Sequence, residues 1–135
     1  MTAEFEAALE PYFTAVLGRK AAKVVALDVH ALTSIADAFI ICSGRSNRQV
    51  SAIAEHIERE LKKQKIRPLS VEGAQEGQWV LMDYGNVIIH VFYDSVREFY
   101  DLEGLWSDAR RIAPPARVKP GAKVQRSKHT GDADD

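Results

Sequence analysis

The sequence predicts a single α/β (α+β) domain in which helices pack on a mixed five-stranded sheet. Its 135 residues are 46% hydrophobic and 27% charged, which supplies enough apolar material for one buried core. Runs rich in β-branched residues alternate with amphipathic stretches, in the order helix, two strands, helix, three strands, helix. Residues 78–93 form two apolar segments around a turn, and this predicted hairpin organises the sheet.

The N-terminal segment carries apolar residues at spacings of three and four from Phe5 onward, which predicts a helix that ends at Gly18. Pro11 lies inside this run and is expected to bend the helix or to start a new one, because proline lacks the backbone donor. Two β-rich runs follow, at 23–29 and 38–43, and a polar loop separates the two strands that they predict.

The next helix has the clearest start signal in the chain. Ser46 and Gln49 have the three-residue spacing of a capping box, in which each side chain satisfies free backbone donors. Apolar residues at helical spacing then predict its buried stripe: Val50, Ile53, Ala54, Ile57 and Leu61. A basic last turn, at 62–65, complements the negative end of the helix dipole.

Three shorter elements complete the predicted fold. Residues 67–72 indicate a strand, and Pro68 places it near an edge or at a strand start. After the hairpin, Asp94 and Ser95 are candidate caps for a helix over 96–100. A last short helix is predicted over 102–106.

The hairpin turn is predicted at Gly85-Asn86, because both residues tolerate the positive φ of a two-residue loop. The resulting pairs are Tyr84 with Val87, Asp83 with Ile88, Leu81 with His90, and Trp79 with Phe92. A three-residue turn over 84–86 would instead shift this register and mix the two faces of the hairpin.

Side chains alternate along strands, so this register divides the hairpin into two faces. The first face is almost wholly aliphatic and is predicted to be core: Val80, Met82, Tyr84, Val87, Ile89 and Val91. The second face is aromatic but also carries a carboxylate and an imidazole: Trp79, Leu81, Asp83, Ile88, His90 and Phe92. Such a mixed face suits a protein partner, because interface centres favour aromatic residues with a few polar groups. A helix of the same chain that covers this face remains the alternative.

Composition excludes several classes of protein. The net charge of −1 gives no global attraction to nucleic acid or to an acidic membrane. Cys42 is the single cysteine, which rules out an internal disulfide framework and fits a reducing cytoplasm. No run is long enough to cross a bilayer, and the acidic N-terminus resembles no targeting signal. We therefore expect a cytoplasmic protein with no membrane contact.

The composition changes at Ala113, so we expect a domain over 1–112 and a flexible tail over 113–135. The tail is rich in proline and in scattered basic residues, has no aromatic residue, and ends in aspartates. Its basic half could contact RNA electrostatically, although a solubilising role without a partner explains the composition equally well.

An enzyme is the alternative function that the residues allow. The strand-to-helix turn from Ser43 to Ser46 offers backbone donors to a nucleotide phosphate, as in a nucleotidyltransferase. That chemistry needs two close carboxylates for magnesium, and no such pair follows the turn, because Asp83 stands alone on its strand. The histidines show no metal-ligand spacing, and no cofactor is expected. Arg97, Tyr100 and Glu103 recur at three-residue spacing and predict either a polar cluster or a solvated helix side.

Several motifs in order resemble the ribosomal silencing factor (Iojap-like, RsfS) family. They are Asp37-Ala-Phe-Ile-Ile-Cys-Ser-Gly-Arg-Ser-Asn-Arg-Gln-Val, Glu72-Gly with Gly77-Gln-Trp-Val-Leu-Met-Asp-Tyr-Gly, His90-Val-Phe, and Arg97-Glu-Phe-Tyr-Asp-Leu-Glu-Gly-Leu-Trp. The resemblance spans about residues 5 to 112. It implies a nucleotidyltransferase-like fold without catalysis, which agrees with the missing carboxylate pair.

The resemblance also implies a partner and a function. Members of this family bind ribosomal protein L-fourteen on the large subunit and block joining of the small subunit, which represses translation when nutrients run short. The family's binding surface maps onto Trp79, Leu81, Met82 and Asp83, although the hairpin register turns Met82 inward.

The second hairpin face would extend this contact through Ile88, His90 and Phe92. Arg45 and Arg48 are candidate accessory contacts to acidic residues or to adjacent rRNA. An aromatic face that awaits a partner could also pair with its own copy, so the sequence leaves open a homodimer of the free protein.

Overall fold

The computed structural model describes residues 2–114, and the predicted tail lies outside this range from residue 115 onward. In chain order the elements are α1 (Thr2–Ala8), α2 (Glu10–Leu17), β1 (Ala22–Asp28), β2 (Ala38–Gly44), α3 (Asn47–Lys63), β3 (Ser70–Glu72), β4 (Trp79–Asp83), β5 (Val87–Tyr93), α4 (Asp94–Tyr100), α5 (Leu102–Leu105) and β6 (Arg110–Ile112). The strands form one sheet in the order β3-β4-β5-β2-β1-β6. Only β2 and β5 are parallel, so the open mixed sheet of the prediction is confirmed.

The sheet has six strands in the described residues, and the predicted count of five is wrong. The missed strand, β6, pairs antiparallel with β1, so that Arg110 lies opposite Asp28 and Ile112 opposite Ala26. Arg110 fixes this edge through its guanidinium, which donates to Asp28 Oδ2 and to Glu6 Oε2 at 3.1 Å each. A three-residue strand with two arginines carries no periodicity that the sequence could have shown.

The N-terminal helical region divides at Pro11, as predicted. Pro11 lies in the first turn of α2, where its missing N–H costs no hydrogen bond, and Gly18 follows the last residue of the helix. α3 also begins as predicted, because Ser46 Oγ accepts from the Gln49 backbone N–H at 3.0 Å. The Gln49 amide reaches back to the Arg45 N–H, one residue beyond the position that a capping box normally bonds.

The hairpin has the predicted register. Trp79 pairs with Phe92, and Asp83 pairs with Ile88. The Tyr84 N–H donates to the Val87 carbonyl at 2.9 Å, and Gly85 adopts a φ of +91° that the turn requires. The two-residue loop is therefore confirmed, and the alternative three-residue turn is not formed.

Two clusters of buried side chains lie on opposite faces of the sheet. The larger one packs between the sheet and the helices α1, α2 and α3, and it contains the aliphatic hairpin face as predicted. The smaller one lies on the other face, where Val96, Leu102 and Trp106 pack over Phe39 and Phe92. The second hairpin face is thus covered by segments of its own chain along β5, whereas its β4 side remains partly open.

Candidate functional site

The open part of the second face follows strand β4. Trp79, Leu81 and Asp83 are half-buried, although all three lie beside buried residues of β5. Across the sheet, Ile88, His90 and Phe92 are buried, with Phe92 at 0% exposure. The structure therefore splits the predicted contact set into an accessible row on β4 and a supporting row on β5.

The indole of Trp79 is held in one orientation by three neighbours. Its ring lies 4.9 Å from Phe92 and 4.8 Å from Tyr100, measured between centroids. Its Nε1–H donates to Nδ1 of His90 at 3.1 Å. A large aromatic side chain that is only half-buried and already ordered loses little rotamer entropy when a partner covers it, which favours binding.

His90 supports Trp79 as a neutral imidazole. Burial lowers the pKa of His90 to about 4, because the charged form would lose its hydration inside the cluster. Since Nδ1 accepts the Trp79 proton, the neutral ring carries its own proton on Nε2, and that nitrogen has no hydrogen-bond partner in the described residues. The Phe39 ring lies 5.3 Å away at nearly a right angle to the imidazole. His90 is therefore built into the packing under the surface.

Two exposed residues of α4 extend this surface, and the sequence prediction missed both. Tyr100 is 51% exposed and its ring packs at a tilt beside Trp79, whereas Phe99 is 80% exposed and contacts Tyr100 at 5.0 Å between ring centroids. We define the aromatic surface as Trp79, Leu81, Phe99 and Tyr100. The signal in the sequence is the adjacent pair Phe99-Tyr100. Two neighbouring aromatic residues in a short helix cannot both face the core, so at least one is expected on the surface.

Two residues of the predicted contact set have other roles in the structure. Met82 is 0% exposed and points into the larger core cluster, so its side chain has no accessible surface that a partner could contact. This placement contradicts the direct contact inferred from the resemblance, and it follows from the alternation of side chains along β4. Asp83 accepts from the Gly85 N–H at 2.8 Å, which stabilises the hairpin turn.

A polar cluster holds α4 and α5 against the sheet. The Arg97 side chain is nearly buried, forms an ion pair with Glu103, and donates to Ser43 Oγ at 3.1 Å. The predicted clustering of Arg97 and Glu103 is confirmed, but Tyr100 contacts Trp79 instead of joining them. The expected side-chain cap of α4 is wrong, because Tyr93 precedes the helix and no side chain caps it.

Ser43 is the first residue of the Ser43–Ser46 turn, and its hydroxyl is not accessible to a nucleotide. Ser43 is fully buried, and its Oγ both accepts from Arg97 and donates to the Ala22 carbonyl at 3.4 Å. Burial also raises the pKa of the adjacent Cys42 thiol to about 12, which makes it an unreactive packing group. Between residues 2 and 114, no group of three or more His, Cys, Asp or Glu side chains converges in a way that could hold a metal ion.

Arg45 and Arg48, the predicted accessory residues, are both exposed and flank the start of α3. They line a cleft together with Arg19 and Lys20 of the α2–β1 turn. In the part of the chain that the structure describes, no helix combines the length and the apolar character needed to span a bilayer.

Comparisons with known proteins agree with this architecture. The family model described as "Ribosomal silencing factor during starvation" matches residues 2–135. The chain is 44% identical over 98 residues to "Ribosomal silencing factor RsfS" of Halalkalibacterium halodurans. These 98 residues cover 73% of this chain and 84% of that protein. A crystal structure from Bacillus halodurans superposes with a TM-score of 0.70 at 36% identity and covers 80% of this chain and 98% of the other.

A more distant relative comes from the mouse. It is named "Mitochondrial assembly of ribosomal large subunit protein 1" and is 34% identical over 74 residues, which are 53% of this chain and 32% of that protein. The match of the family model over nearly the whole sequence, together with the bacterial relatives, establishes the assignment. The chain belongs to the ribosomal silencing factor family.

Proposed function

We propose that this protein binds ribosomal protein L-fourteen on the large ribosomal subunit through the aromatic surface. The observation that carries the proposal is the half-buried Trp79 indole, which is fixed by His90, Phe92 and Tyr100. Interfaces draw most of their binding energy from a few such aromatic anchors in well-packed surroundings. The accessible residues Trp79 and Leu81 make the central contact, and buried Ile88, His90 and Phe92 position them from below.

The proposed mechanism is steric and involves no catalytic step. Once seated on the joining face of the large subunit, the domain occupies space that the small subunit needs, and translation stops. A contact of standard size, about 1,600 Å² of total buried area, is sufficient for such a stable complex. The family description names starvation, so we infer that the protein acts when nutrients are short. The name of the mouse relative refers to the large ribosomal subunit, which supports this subunit as the target of the present protein.

Subunit joining tests this proposal directly. Purified large and small subunits are mixed with the protein, and the fraction of joined ribosomes is measured by sucrose-gradient sedimentation. The native protein should reduce joining, and the Trp79→Ala variant should lose affinity for the large subunit by about 2 kcal/mol or more, as expected for a central anchor. Ile35→Ala is the matched control, because Ile35 is an exposed apolar residue before β2, at the other end of the sheet.

Two results would refute the proposal. The first is normal joining in the presence of saturating native protein. The second is equal large-subunit affinity for the native protein and for a Trp79→Ala variant that melts cooperatively. Crosslinking of the bound native protein then identifies the partner, and we expect the crosslinks from β4 and α4 to reach ribosomal protein L-fourteen.

A further inference from the structure

A basic cleft lies beside the start of α3 and is separate from the aromatic surface. Its cationic residues are Arg19, Lys20, Arg45 and Arg48, and its volume is about 530 Å³. They come from two segments that are far apart in sequence, because the first two follow α2 and the other two follow β2. The fold therefore brings four positive charges together in a chain whose net charge is only −1.

None of these four cations forms an ion pair within residues 2–114, whereas Arg97 and Arg110 each bind a carboxylate. Arg48 also borders a neighbouring depression that contains Glu55 and Glu58. The remaining lining of the cleft is neutral and contributes no acid: Ser46, Gln49, Ala52 and Ile53. Unpaired cations concentrated in a concave surface attract a polyanion, since their fields add and are focused by the cleft walls.

The chemistry of the lining selects the kind of anion. No aromatic side chain lines the cleft, so a nucleobase has no ring on which to stack. No carboxylate lines it either, so a magnesium-bound triphosphate has no metal ligand there. Arginine and lysine side chains without base-reading partners bind phosphate groups along a nucleic-acid backbone irrespective of sequence.

The register of the sheet places the cleft near the aromatic surface. Trp79 pairs with Phe92, and Phe92 pairs with Ser43, so these residues form one row across three adjacent strands. Two strand spacings correspond to about 10 Å. Arg45 follows Ser43 by two residues at the same end of the sheet. The α3 side of the cleft belongs to the core face, whereas Trp79 lies on the second face, so a partner that covers both must extend around this end of the sheet.

We propose that the basic cleft binds the phosphodiester backbone of ribosomal RNA next to the protein contact. This inference rests on the proposed function, because the aromatic surface delivers the cleft to the large subunit. Two contacts of different chemistry would then fix the orientation of the domain on the subunit. The aromatic surface would supply affinity that depends weakly on salt, and the cleft would supply the salt-dependent part.

The test compares two double variants that each remove two positive charges. Arg45→Gln with Arg48→Gln alters the cleft, and Lys62→Gln with Arg67→Gln is the matched control, because these exposed residues lie at and beyond the other end of α3. The dissociation constant for purified large subunits is measured over a range of KCl concentrations. We expect the cleft variant to bind more weakly, with a logarithmic salt slope reduced by about 0.7 for each phosphate group that the protein no longer neutralises. The control should keep the native slope.

The outcomes separate this inference from the proposed function. Trp79→Ala should weaken binding to the large subunit while the salt slope stays native. If Trp79→Ala binds as tightly as the native protein, that result counts against the proposed function alone. A native slope in the cleft variant overturns the inference alone. Weaker binding of the cleft variant to isolated ribosomal protein L-fourteen would also overturn it, because the cleft would then contact protein. So would a thermal shift with ATP, CTP or GTP that the cleft variant abolishes, which would indicate a mononucleotide site.

Discussion

The two faces of the sheet are closed in different ways. On the core face, α1, α2 and α3 cover an aliphatic layer in which Met82, Ile89 and Val91 are fully buried. On the second face, two short helices cover only the middle of the sheet and are held there by the ion pair of Arg97 and Glu103. The complete cover of the core face stabilises the fold. The partial cover of the second face leaves the ordered aromatic surface accessible to a partner.

Met82 tests the core face. Met82→Ala should lower the free energy of unfolding by about 2–5 kcal/mol, because the truncation leaves a cavity in a tightly packed layer. Met82→Leu conserves volume and should cost less than about 1.5 kcal/mol. Both values are read from urea denaturation. The affinity of folded Met82→Leu for the large subunit should equal that of the native protein, and a clear loss of affinity would show that this residue does reach the partner.

The imidazole under the second face should make the protein sensitive to acid. The pKa of His90 lies at about 4 in the fold, below its ordinary value of 6.5, so the unfolded chain takes up the proton first. The stabilisation is therefore complete above about pH 6.5 and is lost as the pH falls from there towards about 4. A shift of this size corresponds to about 3 kcal/mol.

Two measurements check the role of His90. Urea denaturation at intervals between pH 7 and pH 4 should show that stability decreases as the pH decreases. The His56→Gln variant should keep this dependence, and it removes the contribution of a half-buried histidine whose pKa burial also lowers. An NMR titration of the His90 ring should give a midpoint near pH 4. A midpoint at the ordinary histidine value would mean that the second face is open to water around His90.

The ion pair that holds the cover of the second face can be broken without enlarging any side chain. Glu103→Gln leaves the nearly buried Arg97 guanidinium without its counter-charge and should cost about 1.5–3 kcal/mol. Glu98→Gln removes a negative charge from an exposed position of α4, the helix that carries Arg97, and is the matched control. The difference in free energy of unfolding between the two variants, from thermal and urea unfolding, gives the contribution of the Arg97–Glu103 ion pair. Equal stabilities would show that apolar contacts alone hold α4 and α5.

The sequence specified the hairpin well because its signals are local. Gly85 and the alternation of side chains determine the register, so the inward orientation of Met82 follows from the sequence alone. The cover of the second face depends on where α4 and α5 dock, which is decided by contacts such as Arg97 with Ser43, 54 positions apart in the chain. The same distance effect hid β6, whose pairing with β1 joins residues that lie 82 to 86 positions apart.

Phe99 provides the most specific test, because its truncation should barely change stability. With 80% of its surface exposed, Phe99→Ala should shift the free energy of unfolding by no more than about 0.5 kcal/mol. If the aromatic surface is the docking site, the same variant should weaken large-subunit binding by at least about 1 kcal/mol, measured by co-sedimentation. Leu69→Ala, a similarly exposed apolar residue before edge strand β3, should change neither quantity. If Phe99→Ala binds the large subunit as tightly as the native protein, Phe99 lies outside the contact. The docking site would then be confined to Trp79 and Leu81 of β4.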